Sequence, residues 1–123
     1  MTNFTLAHVG INMENEEEAK KIADLLCLVF NLDIRETGKA FFAGDYFEVM
    51  KDIGAGRFGH IAMECDDIHE AIKELKEKGF DCDIDGGMRR EDGSLRLCYI
   101  KEDFAGFAIH ITERDKKPQL IYK

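Results

Sequence analysis

His8-Val9-Gly10-Ile11 and His60-Ile61-Ala62-Met63 stand 52 positions apart and share one design, a histidine followed by alternating bulky and small apolar positions. Glu18-Ala19 and Glu70-Ala71 keep that separation, so the register holds from a strand into the start of a helix. Each copy ends in a short apolar strand holding one residue able to bind a metal. These strands are Phe47-Glu48-Val49-Met50 and Ile109-His110-Ile111-Thr112. Glu48 and His110 lie 62 apart, so the second copy carries about ten extra residues, most simply in the loop Gly86 to Gly93, because insertions collect in loops.

The period of the apolar residues supplies the elements. Phe4 to Met13 alternates, with Val9, Ile11 and Met13 on one face, and reads as a strand. Asn15 with Glu18 makes a capping box, and Ala19, Ile22, Ala23, Leu26 and Phe30 recur at helical spacing, which predicts a helix from Glu16 to Phe30. Leu32 to Glu36, Ala40 to Ala43 and Tyr46 to Lys51 follow as short strands, with turns at Gly38 and Gly44-Asp45. The second copy repeats the order. His60 to Cys65 is a strand, Asp67 and Glu70 cap a helix carrying Ile68, Ala71, Ile72 and Leu75, and Gly79 ends it. Strands are predicted at Asp81 to Ile84, Leu95 to Lys101 and Phe107 to Thr112.

The expected fold class is therefore α+β, with tandem βαβββ modules forming a curved mixed sheet around a metal-binding cleft. Residues 1–123 form one domain, with module one at 3–53, module two at 57–114 and a C-terminal tail at 115–123. The tail holds Pro118, Leu120, Ile121 and Tyr122 and is expected to dock, on its own domain or at a subunit contact. Gly54-Ala55-Gly56-Arg57-Phe58-Gly59 spells GxGxxG, but a strand follows it instead of a helix, so it reads as a flexible joint between modules and not as a dinucleotide loop.

Composition sets the outer bounds. A chain of 123 residues can bury a real core without staples. Its 17 basic and 25 acidic side chains give a net charge of −8, which argues against nucleic acid or an anionic membrane as partner. Cys27, Cys65, Cys82 and Cys98 form no CxxC spacing and read as reduced thiols of a cytoplasmic protein.

Strand parity brings the chemistry together. The bulky sets (Val9 and Ile11; Phe47 and Val49; Ile61 and Met63; Ile109 and Ile111) take the parity opposite to His8, Glu48, His60 and His110. Helices should cover the bulky face. The other face then gathers three imidazoles and a carboxylate, a set suited to a divalent transition metal: zinc or nickel first, with cobalt, iron or manganese as alternatives. Arg35 and Arg96 interrupt apolar alternation at the parity assigned to the cleft and are candidates for holding a substrate carboxylate or phosphate.

Duplicated βαβββ order, a histidine in the first strand of each copy and an acidic position in the last resemble the vicinal oxygen chelate superfamily, which includes glyoxalase I and the extradiol dioxygenases. The resemblance covers roughly Phe4 to Glu113, and Asp103-Phe104-Ala105-Gly106-Phe107-Ala108-Ile109-His110 looks like its closing D-x-x-G-x-x-[IL]-E hairpin, with His110 in the acidic position. The His8 to Asn12, Asn15 to Ala19, Glu48 to Lys51 and Gly106 to His110 segments also resemble a domain found alone or fused to 2-keto-3-deoxy-6-phosphogluconate aldolase. The resemblance implies a lactoylglutathione lyase type of metalloenzyme, in which a bound ion stabilises charge developing on vicinal substrate oxygens while a carboxylate, here Glu48, moves the adjacent proton. Its partners would be a small-molecule substrate and a second copy of the chain in a homodimer. Two alternatives remain open: a non-catalytic binding or regulatory module linked to keto-acid aldolase metabolism, and a metal-dependent dioxygenase.

Overall fold

The structure, a computed structural model, describes residues 1–115. The chain runs β1 (Thr5–Asn12), α1 (Glu16–Phe30), β2 (Ile34–Glu36), β3 (Ala40–Ala43), β4 (Phe47–Met50), β5 (Gly59–Cys65), α2 (Ile68–Glu77), β6 (Met88–Arg89), β7 (Leu95–Tyr99) and β8 (Phe107–Glu113). This is an α+β fold of two helices and one open, mixed, eight-stranded sheet of order β2-β3-β4-β1-β5-β8-β7-β6. β1 and β5 meet antiparallel at its centre, with β4 parallel to β1 and β8 parallel to β5. Among the described residues, no helix is long and apolar enough to cross a membrane.

Both helices start on side-chain caps. The Asn15 carboxamide oxygen accepts from the Glu18 amide at 2.8 Å, and the Asp67 carboxylate accepts from the His69 and Glu70 amides. Each such cap contributes about 1 kcal/mol. The Ile68 amide also donates to Glu113 Oε2 at 2.9 Å, which ties the first turn of α2 to the end of β8. Ala19 and Ala23 of α1 pack on Phe41 and Val49, whereas Ile68 and Ala71 of α2 pack on Cys65, Leu95, Cys98 and Ile111.

The two cores fix which face of the sheet each residue takes. Val49 and Ile111 are fully buried, and burying such a side chain stabilises by roughly 1.5–3 kcal/mol. A one-residue slip would bring the neighbouring Glu48 or His110 into the core instead, so the register is strongly specified. Between the helices, Val9, Ile11 and Ile61 of the central strands are only half-buried.

Three local expectations change. Asp81 to Ile84 does not form a strand, because the Asp83 carboxylate accepts from the Gly86 amide at 3.1 Å and turns the chain; only Cys82 bridges to Ile100. The strand pairing with β7 lies further on, at Met88 and Arg89, inside the region read as a loop. The 54–59 joint is tied down. Asn12 Nδ2 donates to the Gly56 carbonyl at 2.9 Å, and Asn12 Oδ1 accepts from the Gly54 amide at 3.0 Å. Gly59 itself has φ 152, and a Cβ on it would lie 1.9 Å from the Gly10 carbonyl oxygen, so only glycine closes the sheet there. Of the tail, only Asp115 belongs to the described residues; the expected docking of Leu120, Ile121 and Tyr122 lies outside them.

Candidate metal centre

Strand register assembles the site in two rows across the central strands. In one, Glu48 of β4 faces Gly10 of β1, which faces His60 of β5. In the other, His8 of β1 faces Ala62 of β5, which faces His110 of β8. Paired residues share a face, so all four functional side chains stand on the side away from the helices. Each row places a very small residue between two large ones. The consequence is visible at Gly10, where a Cβ would lie 2.1 Å from His60 Cε1: the His60 imidazole occupies the space a side chain would need.

Three donor atoms meet tightly. His8 Nε2 lies 3.2 Å from His60 Nε2 and 3.6 Å from Glu48 Oε1, and His60 Nε2 lies 2.8 Å from the same oxygen. A tetrahedral ion with bonds near 2.0–2.1 Å spaces its ligands about 3.3 Å apart, so this triangle fits one. His60 Nε2 can carry only one proton, so it cannot donate to Glu48 and accept from His8 at once. A cation at the centre satisfies every lone pair together. His110 completes the set, and the donor atoms of His8, His60 and His110 lie within 4.8 Å of one another. Glu48 stands outside that trio, yet its Oε1 is nearer to His60 Nε2 than His8 is. Glu48 therefore borders the same point as the three imidazoles.

The electrostatics suit the role. Burial alone would raise the Glu48 carboxyl, but hydrogen bonds with His60 and His8 outweigh it and hold the pKa at about 2. The residue is an anion at neutral pH. Burial, followed by the neighbouring His60 and His8, pushes His110 down to about 3 against a smaller opposing pull from Glu48. His110 is thus a neutral imidazole with a lone pair to offer. Its Nδ1 lies 2.9 Å from Thr112 Oγ1, which leaves Nε2 for the cluster and fixes the ring.

The two arginines part company. Arg35 pairs with Phe42, which pairs with Glu48, so it shares the face of the cluster; its guanidinium lies 4.3 Å from the Phe42 ring centroid. Arg96 does not join. On β7 it is Tyr99 that pairs with His110 and Leu97 that pairs with Thr112, whereas Arg96 is exposed and lies 3.7 Å from Asp115. The assignment of Arg96 to the cleft is corrected accordingly.

Tyr99, Phe42 and Thr112 were missed from the sequence. The Tyr99 ring meets His110 edge-on at 5.2 Å, and burial followed by the charge of Glu48 raises its phenol, which stays protonated at neutral pH. Phe42 meets His8 edge-on at 5.8 Å. The signal was present, since Thr112 is two positions from His110 on one strand face. Tyr99 needed the β7–β8 register, which no local pattern supplies.

No family model and no curated protein matches the chain. Its fold is similar to that of a hypothetical protein from Bacillus halodurans C-125, whose crystal structure superposes with a TM-score of 0.63 at 17% sequence identity, over 96% of this chain and 99% of that one.

Proposed function

We propose that the protein is a metalloenzyme of glyoxalase type, a member of the vicinal oxygen chelate class, in which His8, Glu48, His60 and His110 hold a divalent ion and a proton is moved next to a carbonyl of a small oxygenated substrate. The single observation carrying this reading is the convergence of His8 Nε2, His60 Nε2 and Glu48 Oε1 at 3.2, 2.8 and 3.6 Å over a glycine whose missing side chain makes the room. Zinc or nickel suits an imidazole-rich set best. What supports the tandem βαβββ reading is the placement of His8 and His60 in antiparallel central strands, and of Glu48 and His110 in the strands parallel to them.

A divalent ion bound there would supply Lewis acidity toward substrate oxygens. The remaining work belongs to side chains. Glu48 is the only carboxylate of the cluster, is ionised at neutral pH, and has a second oxygen able to accept a proton. Tyr99, protonated and beside His110, can donate a hydrogen bond from the opposite side. Neutral His110 adds no charge. The site therefore keeps a formal +1 with a divalent ion and favours an anionic oxygen donor.

The test is Glu48→Gln. The amide keeps the shape of a ligand but cannot take up a proton. With enolisable oxo compounds in heavy water, exchange of the α-proton should slow by about two to four orders of magnitude while metal is retained at least in part. Undiminished exchange by the metal-loaded variant would assign the proton to another group. No exchange by the parent on any such compound would favour a binding module.

A further inference from the structure

We infer that the substrate is a short diacid of the 2-oxo dicarboxylate class, with its oxo-acid end at the histidine and glutamate cluster and its far carboxylate held by Arg35. This rests on the metal site proposed above. Arg35, Phe42, Glu48, Gly10 and His60 form one continuous cross-strand row on one face of the sheet. Phe42 is the floor between the cation and the cluster, with the Arg35 guanidinium 4.3 Å from its centroid on one side and the His8 ring 5.8 Å away on the other. Stacking on an aromatic face orients the planar guanidinium and leaves its N–H edge free for a carboxylate.

Among the described residues Arg90, Arg96 and Arg114 are each ion-paired, whereas Arg35, like Arg57 and Arg89, has no carboxylate within ion-pair distance; of these three it is Arg35 that the strand pairing aligns with Glu48. In a chain with 25 acidic and 17 basic side chains, a stacked and unpaired arginine beside a candidate metal centre points to an anion from outside.

Span and charge select the class. Arg35 and Glu48 are two strands apart, or roughly 9–10 Å between backbones, and the guanidinium leans back over the intervening Phe42. A chain of a few methylenes bridges that gap. Its apolar middle would lie on the phenyl ring. A divalent ion, the Glu48 carboxylate and the Arg35 guanidinium sum to a formal +2, which matches a dianion. A glutamate at position 110 would have removed one of those charges, so the histidine that stands there and Arg35 favour the same ligand.

The test uses nickel-loaded protein titrated calorimetrically with 2-oxoglutarate and with 2-oxopentanoate, which has the same chain without the far carboxylate. The diacid should bind at least about tenfold more tightly, the scale of one bidentate charge-assisted pair. Arg35→Gln should abolish that preference while metal content and affinity for the monoacid stay at parental values, and Arg35→Lys should retain part of it. Equal binding of the two acids by the parent, an undiminished preference in Arg35→Gln, or no binding of either acid to loaded protein would each overturn the inference and leave the metal site standing. Failure of the parent to take up nickel or zinc would overturn the site itself and the inference with it.

Discussion

Gly10→Ala should cripple the metal centre without altering any ligand. The added Cβ would lie 2.1 Å from His60 Cε1 and 2.2 Å from Nδ1, whereas ordinary contact begins at 3.4 Å. The ring must retreat by roughly an ångström or more, while metal–ligand distances tolerate only about 0.2 Å. His60 would therefore leave the coordination sphere or pull the ion off its other ligands. An outer position that displaces a ligand typically costs about 10- to 100-fold in metal affinity, and a loss at the upper end or beyond is expected because the displacement is direct. Fold stability should change less. Overpacking costs roughly 1–3 kcal/mol, partly offset by the 0.4–1 kcal/mol gained when alanine replaces glycine in the unfolded chain. The assay is competition for zinc against a chromophoric chelator, with thermal unfolding in the absence and presence of zinc. Zinc should raise the parent's melting temperature and raise that of Gly10→Ala much less, because ligand-linked stability follows affinity. A folded Gly10→Ala protein binding zinc within about twofold of the parent would refute the packing argument.

Thr112→Val should lower zinc affinity about tenfold by releasing Nδ1 of His110, while Thr112→Ser retains parental affinity because its hydroxyl can still reach the ring; equal affinity in the valine variant would deny the orienting role. Burial raises Cys98 to about 12 and Cys65 to about 11, so in native protein at pH 8 both should resist iodoacetamide, and Cys27, half-buried on α1, should react first. Peptide mapping after timed alkylation checks this, with all four thiols labelled after denaturation; rapid native labelling of Cys98 would contradict its burial.

The elements most legible in the sequence were those whose period and caps agree. Asn15 with Glu18, and the spacing Ala19, Ile22, Ala23, Leu26, give α1 at Glu16–Phe30, the bounds that the structure has. The sheet faces were legible for the same reason: Val49 and Ile111 are fully buried and their neighbours Glu48 and His110 point the other way. What escaped reading depends on contacts between distant residues. The Asp83 turn that cancels a strand at Asp81 to Ile84 arises from one side chain reaching a backbone amide, and the β6 pairing at Met88 draws no support from its own exposed sequence. Arg96 was misplaced because its exposed side chain meets Asp115, beyond the end of β8, a contact that no local pattern announces. At the candidate site, the four candidate ligand positions followed from the repeat, whereas Tyr99 depends on the β7–β8 register and required coordinates.

The central claim is that four side chains from β1, β4, β5 and β8 form one metal site, and the metal content of the purified protein tests it most directly. Elemental analysis of parent protein prepared without added metal, and again after equilibration with zinc or nickel and desalting, should give about one ion per chain, and His60→Ala prepared alongside should give far less. A folded parent that retains no zinc, nickel, cobalt, iron or manganese under either condition, or a His60→Ala protein that holds metal as tightly as the parent, would contradict the account.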